Sequence, residues 1–136
     1  MNKQFEIAYF SAEIGISSSI PTYSGGLGVL AGDHIKAAGD EGMKMCAITL
    51  LYKEGYFKQR IDEDGFQTET YPRFDPNPLI KQIDLRFSLE LQKREVFIQV
   101  FKFDYTSDSG HSVPIYFLDT DLEVNAEEDR SITHRL

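Results

Sequence analysis

Two short apolar runs, residues 5–10 and 43–52, enclose the feature that most narrows the fold. It is Ser24-Gly25-Gly26-Leu27-Gly28-Val29, three glycines in six residues, followed at once by an apolar repeat of helical period. Glycine loses the most conformational freedom on folding, so such a cluster implies a sharp turn or a close approach to the backbone. Leu27, Leu30, Ala31, His34, Ile35 and Ala38 share one helical face, while Asp33, Lys36 and Asp40 face away. Gly42 is a helix stop. Strand, glycine turn, helix and strand in about fifty residues make a βαβ unit, which predicts a parallel sheet with a right-handed crossover.

Beyond residue 55 the pattern becomes antiparallel. Residues 56–61 and 66–71 flank Asp62-Glu63-Asp64-Gly65, a hairpin signal with glycine where positive φ is needed. Pro72, Pro76 and Pro78 mark a loop. Residues 83–91 and 95–105 read as strands joined by Gln92-Lys93-Arg94, and 113–118 as a third. The expected organisation is an α/β chain: a βαβ core with the glycine loop at 1–55, an antiparallel β extension at 56–118, and at 119–136 an acidic tail that becomes helix-like. That last segment stops at Thr133-His134-Arg135-Leu136 without a cap, which we read as the start of a truncated helix in a piece of a larger protein. Such a piece is expected to expose apolar surface meant for the remainder, with marginal stability or self-association.

Composition bounds the partners. With 14 Lys+Arg against 22 Asp+Glu, the net charge of −8 disfavours nucleic acid and anionic membrane. No apolar stretch is long enough for a membrane span and residues 1–6 lack a signal-peptide core, so a cytoplasmic protein is expected. Cys46 sits in an apolar run and reads as a buried thiol. His34, on the apolar helix face, is expected to be buried and hydrogen-bonded. His111 and His134 make no ligand spacing with each other or with Cys46, so no metal site is expected. The acidic residues of 123–129 read as a solvated face.

A glycine-rich turn opening a helix suits an anion. The first helical N–H groups have no internal partner, the dipole adds roughly half a positive charge, and glycine lets a phosphate reach the backbone. The loop is neither a P-loop, lacking Gly-Lys-Ser/Thr, nor the dinucleotide fingerprint, because Gly25-x-x-Gly28 has the wrong spacing. From the pattern alone, an anion site and a purely structural turn both stand.

The wording of the chain is more specific. Tyr9-Phe10-Ser11-Ala12-Glu13-Ile14-Gly15, the stretch Pro21-Thr22-Tyr23-Ser24-Gly25-Gly26-Leu27-Gly28 on to Asp33-His34, and Leu51-Tyr52-Lys53-Glu54-Gly55-Tyr56-Phe57-Lys58-Gln59 resemble the N-terminal part of the bacterial and archaeal α-glucan (glycogen/starch) phosphorylases. Phe117-Leu118-Asp119-Thr120-Asp121 and Glu128-Asp129-Arg130-Ser131-Ile132-Thr133-His134-Arg135-Leu136 resemble later blocks of that family, in the same order. The resemblance implies part of a Rossmann-like N-terminal domain of a GT-B glycosyltransferase. That enzyme moves a terminal glucosyl unit of an α-1,4-glucan to phosphate, giving glucose 1-phosphate. It also implies pyridoxal phosphate and a homo-oligomer for the whole protein.

By the same match, the amides of Gly25 and Gly26 would face the substrate phosphate and Leu27 would border the glucosyl site. Ser24 and Gly28 complete the loop; many family members carry Asn at the Ser24 position. Glu13, just after the first strand, is read either as a cleft-lining carboxylate or as a loop anchor. Tyr52, Glu54, Tyr56 and Phe57 either line the glucan side or pack within the β segment. The family's cofactor lysine and basic phosphate-binding residues belong to a C-terminal domain with no counterpart in these 136 residues. No catalytic residue, cofactor site or phosphorylase activity is therefore expected of this stretch alone. The alternatives are a glycogen/starch synthase-type enzyme using a nucleotide sugar, against which Tyr23-Ser24 replaces the usual Lys-Thr, and a non-catalytic glucan-binding module.

Overall fold

The computed structural model describes residues 5–76 and 79–136; Pro78 and residues 1–4 of the sequence reading lie outside them. The elements run β1 (Ile7–Phe10), α1 (Gly26–Asp40), β2 (Met45–Leu50), β3 (Lys58–Ile61), β4 (Gln67–Thr70), β5 (Lys81–Leu91), β6 (Arg94–Thr106), β7 (Ser112–Asp119) and α2 (Glu127–Arg130), with a 3-10 turn at Ser131–Thr133. The fold is α/β. One mixed sheet has the order β1-β2-β7-β6-β5, and β3 with β4 forms a separate two-stranded sheet.

The expected βαβ unit is present: β1 pairs with β2 in parallel, Ile7 opposite Met45 through Phe10 opposite Ile48. What the pattern did not foretell is that β7 adds to β2 in parallel as well, with Ala47 opposite Ile115. The β5–β6–β7 meander is antiparallel within itself and joins the same sheet through β7. Alternation divides the strand side chains between two faces. On one, Met45, Ala47, Phe101, Val113, Ile115 and Phe117 form the buried core with Ala31 and Ile35 of α1 and Ile14, Ile16 and Ile20 of the loop. On the other, Phe10, Ile48, Leu85, Phe87, Leu89, Tyr116 and Leu118 line an uncovered apolar groove of about 380 Å³. Cys46 is buried as expected, and burial pushes its thiol up from the ordinary value.

Helix α1 buries a different stripe from the one the periodicity favoured. Gly28, Ala31, Gly32, Ile35, Ala38 and Gly39 face inward, whereas Leu27 and Leu30 are 54% and 66% exposed. The reason is close packing. A Cβ on Gly32 would stand 2.2 Å from the carbonyl oxygen of Gly15, so the helix backbone lies directly on the loop and rolls its glycine side inward. That roll also corrects the reading of His34, which is exposed and lies against the Tyr9 ring, 5.0 Å between centroids. The helix ends as expected: Gly42, at φ +65°, donates to the Gly39 carbonyl and Met43 to that of Ala38, a Schellman closure.

The β3–β4 hairpin turns where foreseen, with Gly65 at φ +85° and Asp62 Oδ1 accepting the amides of Asp64 and Phe66. In the β5–β6 turn, Gln92 and Lys93 both take positive φ, 51° and 66°. A two-residue hairpin between Leu91 and Arg94 needs that twist, even without the glycine that usually supplies it.

The tail differs most from expectation. The helix-like segment is one α turn that tightens into the 3-10 turn at Ser131–Thr133, after which the amide of Leu136 donates to the Glu54 carbonyl. The acidic stretch 123–129 is only partly a solvated face. Asn125 and Asp129 are buried. Asn125 bonds both the amide and the carbonyl of Phe97, and Arg94 grips Asp129 with Nε at 3.1 Å and Nη2 at 2.8 Å. Hydrogen bonding from Arg94, aided by its charge, holds the Asp129 carboxyl below the ordinary value against the opposing effect of burial. A residue-type count cannot show which carboxylate of an acidic run meets a strand-borne arginine.

Candidate functional site

Because β1, β2 and β7 are parallel, their carboxyl ends open onto one edge, where α/β sheets place ligands. Three segments meet there: the loop leaving β1, the glycine loop entering α1, and residues 51–55 leaving β2. Main-chain bonds lace the first two together. Ile14 N donates to Thr22 O at 3.3 Å and Gly15 N to Gly28 O at 2.8 Å, while the buried Thr22 hydroxyl donates to Ile14 O. The third is tied in through Ala12, whose carbonyl accepts from both Thr49 Oγ1 and Tyr52 Oη. Burial chiefly, and the nearby Glu13 carboxylate, push the Tyr52 phenol up from its ordinary value.

Glu13 is the clasp of the loop. Its Oε2 accepts the Ser24 amide at 2.9 Å and its Oε1 the Ser24 hydroxyl at 3.1 Å. Both oxygens thus serve one residue, which is the loop-anchoring geometry of the two readings considered above. Ser24 stays exposed while it is held by Glu13.

The glycines divide into two kinds. Gly25 and Gly26 are exposed, and a Cβ built on either meets nothing within 4 Å. Gly28 is buried, where a Cβ would lie 2.3 Å from Cβ of Tyr23. Gly28 is therefore a packing glycine, and the open backbone is that of Gly25 and Gly26. Gly25 is the N-cap of α1; no side chain caps the helix and its first turn holds no acidic residue, so no capping side chain satisfies the leading amides. Leu27 projects beside them.

Two features at this edge escaped the sequence reading. Lys53 Nζ binds Oδ2 of Asp119 at 2.7 Å, and Asp119, wholly buried at the end of β7, also accepts from Gln99, Thr133 and the Asp121 amide. Glu54 is a hub for two guanidinium groups, those of Arg73 and Arg135, at 3.5 Å each, and for the His134 ring at 3.6 Å. Both residues lie in quoted family blocks, but nothing in their spacing announces the partners.

The chain is 44% identical over 133 residues to maltodextrin phosphorylase of Thermococcus litoralis, and 41% over 138 residues to glycogen phosphorylase of Mycobacterium tuberculosis. It is 31% identical over 137 residues to glycogen phosphorylase of Aquifex aeolicus. The chain is a homologue of the glycogen and maltodextrin phosphorylases. These matches take in 93%, 96% and 96% of this chain but only 15%, 15% and 19% of the relatives. The chain thus spans about one-seventh of the length of the first two phosphorylases it matches. No protein-family model matches it. The relatives' names agree with the phosphorylase reading over the nucleotide-sugar alternative. Among the described residues, no helix is long and apolar enough to cross a membrane.

Proposed function

We propose that this chain forms the glycine-loop portion of an α-glucan phosphorylase of the GT-B type, whose substrates are phosphate and an α-1,4-glucan and whose product is glucose 1-phosphate. The observation that carries the proposal is the pair Gly25 and Gly26, exposed backbone at an uncapped helix N-terminus on the carboxyl edge of the parallel strands. In this reading their amides receive the phosphate, Leu27 borders the glucosyl ring, and Glu13 fixes Ser24 so that the amides keep their aim. Gly28 serves through packing. Parallel strands are normally covered on both faces, so the uncovered groove and the open edge of β1 suit a larger Rossmann-like domain facing a second one.

Pyridoxal phosphate, which the family resemblance implies, would supply its own phosphate group as the acid-base partner of the substrate phosphate. The residues at this edge do not suit an imine link to it: the ammonium of Lys53 is committed to buried Asp119. Its holder in this reading is the remainder of the protein.

A chimera tests the proposal. Replacing the matching stretch of the Thermococcus litoralis maltodextrin phosphorylase with these residues should leave an enzyme that forms glucose 1-phosphate from maltodextrin and phosphate. Gly26→Val in that chimera should lower the rate by at least about a hundredfold, the loss expected when one donor to a developing charge is displaced. A folded chimera without activity, or a fully active Gly26→Val variant, would refute the assignment.

A further inference from the structure

Across the sheet from β1, strand β5 has a neighbour on one side only. Among the described residues, no main-chain group outside β6 bonds to residues 86–91. Which of its amides face outward follows from the ladder. A two-residue turn makes Leu91 and Arg94 a hydrogen-bonded pair, and such pairs alternate along an antiparallel ladder. The main-chain groups of Leu89 and Phe87 therefore turn to β6, and those of Glu90, Ser88 and Arg86 turn away. Asn125 agrees with this alternation: from the other side of β6 it takes both main-chain groups of Phe97, the residue opposite Ser88. Natural sheet edges are blunted by proline, lysine or a bulge. Here the register shift lies between Gln82 and Arg86, so residues 86–91 form an unbroken run without proline or lysine.

We propose that this edge pairs with the same edge of a second copy, antiparallel about Ser88, so that two five-stranded sheets join into one. Side chains choose the register. About Ser88, Arg86 of each copy stands opposite Glu90 of the other, Phe87 opposite Leu89 and Leu85 opposite Leu91. Arg86 and Glu90 are exposed, and among the described residues neither has an ion pair within the chain. A two-fold one residue earlier sets Asp84 against Glu90, and two earlier sets Arg86 against itself. One residue later, no opposite charges face each other. Directly opposed like charges weaken a strand pair and unlike charges strengthen it, which favours Ser88 as the centre. Leu85, Phe87, Leu89 and Leu91 are between 37% and 47% exposed. The two-fold puts both sets on one side of the joined sheet, so each apolar groove continues into the other. The net charge of −8 does not forbid the pairing. At physiological ionic strength charges beyond about 8 Å are screened, and paired strands lie about 4.8 Å apart. Neither the glycine loop nor the phosphorylase reading enters this argument.

Sedimentation equilibrium of this chain over about 1–300 µM tests the pairing. The mass should rise with concentration toward twice the 15.5 kDa of one chain. Ser88→Pro should hold it at one chain without lowering the melting temperature, because the Ser88 amide bonds nothing within the sheet and the ring blocks a partner. Arg86→Glu and Glu90→Arg should each weaken self-association by about tenfold, since both charge pairs turn repulsive. Mixed one to one, these two variants should associate as tightly as the wild type, because every charge then faces its opposite. They also serve if the proline variant folds poorly. A folded chain that keeps one mass throughout would overturn the proposal. So would a dimer that Ser88→Pro leaves intact, which puts the contact on the apolar groove or another face. A mixture no tighter than either variant alone would overturn the register.

Discussion

Gly32→Ala should destabilise the chain by about 3 kcal/mol, seen as a melting temperature roughly 10 °C lower. At an ordinary position inside a helix the same change is favourable, because alanine gives up less backbone entropy. Here the added Cβ would lie 2.2 Å from the Gly15 carbonyl oxygen and 2.7 Å from its carbon. Those are backbone atoms held by the Gly15 amide's bond to Gly28, so no side chain can swing aside. The helix must lift from the loop, and the lift reaches Glu13 and the glycine edge together. Gly26→Ala is the matched control: its Cβ meets open space and its site is helical, so the melt should hold or rise slightly. A Gly32→Ala protein melting with the wild type would show that the loop yields and that the close approach does not position it.

Lys53→Met should cost about 3 kcal/mol in urea unfolding, for a different reason. Asp119 is wholly buried, and Lys53, a quarter exposed, is the cation that neutralises it. Methionine keeps most of the side-chain volume but strands the carboxylate among neutral donors, Gln99, Thr133 and the Asp121 amide. Breaking a buried pair from one side is costly because the remaining charge stays out of water. Adding Asp119→Asn should recover about 1–2 kcal/mol, since the amide keeps an accepting oxygen without the charge. If Lys53→Met unfolds at the wild-type midpoint, water reaches Asp119 and the pair is not a fastener of this edge.

The legible parts of the fold were those written in local chemistry. Apolar runs around a glycine turn gave β1, α1 and β2, and Gly42 and Gly65 marked the helix end and the hairpin turn. Family wording gave the candidate loop, and the structure sorts its members: Gly25 and Gly26 open, Gly28 packed, Ser24 tied to Glu13. The rest was hidden because it depends on distance in space. Large residues weigh most in a periodic pattern, so Leu27 and Leu30 outvoted the glycines that the close approach selects. Asp129 and Asn125 looked solvated because Arg94 and Phe97, which bury them, lie far back in the sequence. The parallel seat of β7 beside β2 has no local sign at all.

That seat governs the order in which the molecule assembles. The β5–β6–β7 meander closes through short turns, a step on the order of microseconds, whereas pairing Ala47 with Ile115 must wait for a long stretch of chain to be gathered. Pulse-labelled hydrogen exchange should therefore find β6 amides protected before those of β2; the reverse order would place the nucleus in the βαβ unit. With the meander first, the carboxyl edge is the last part of the protein to exist during folding.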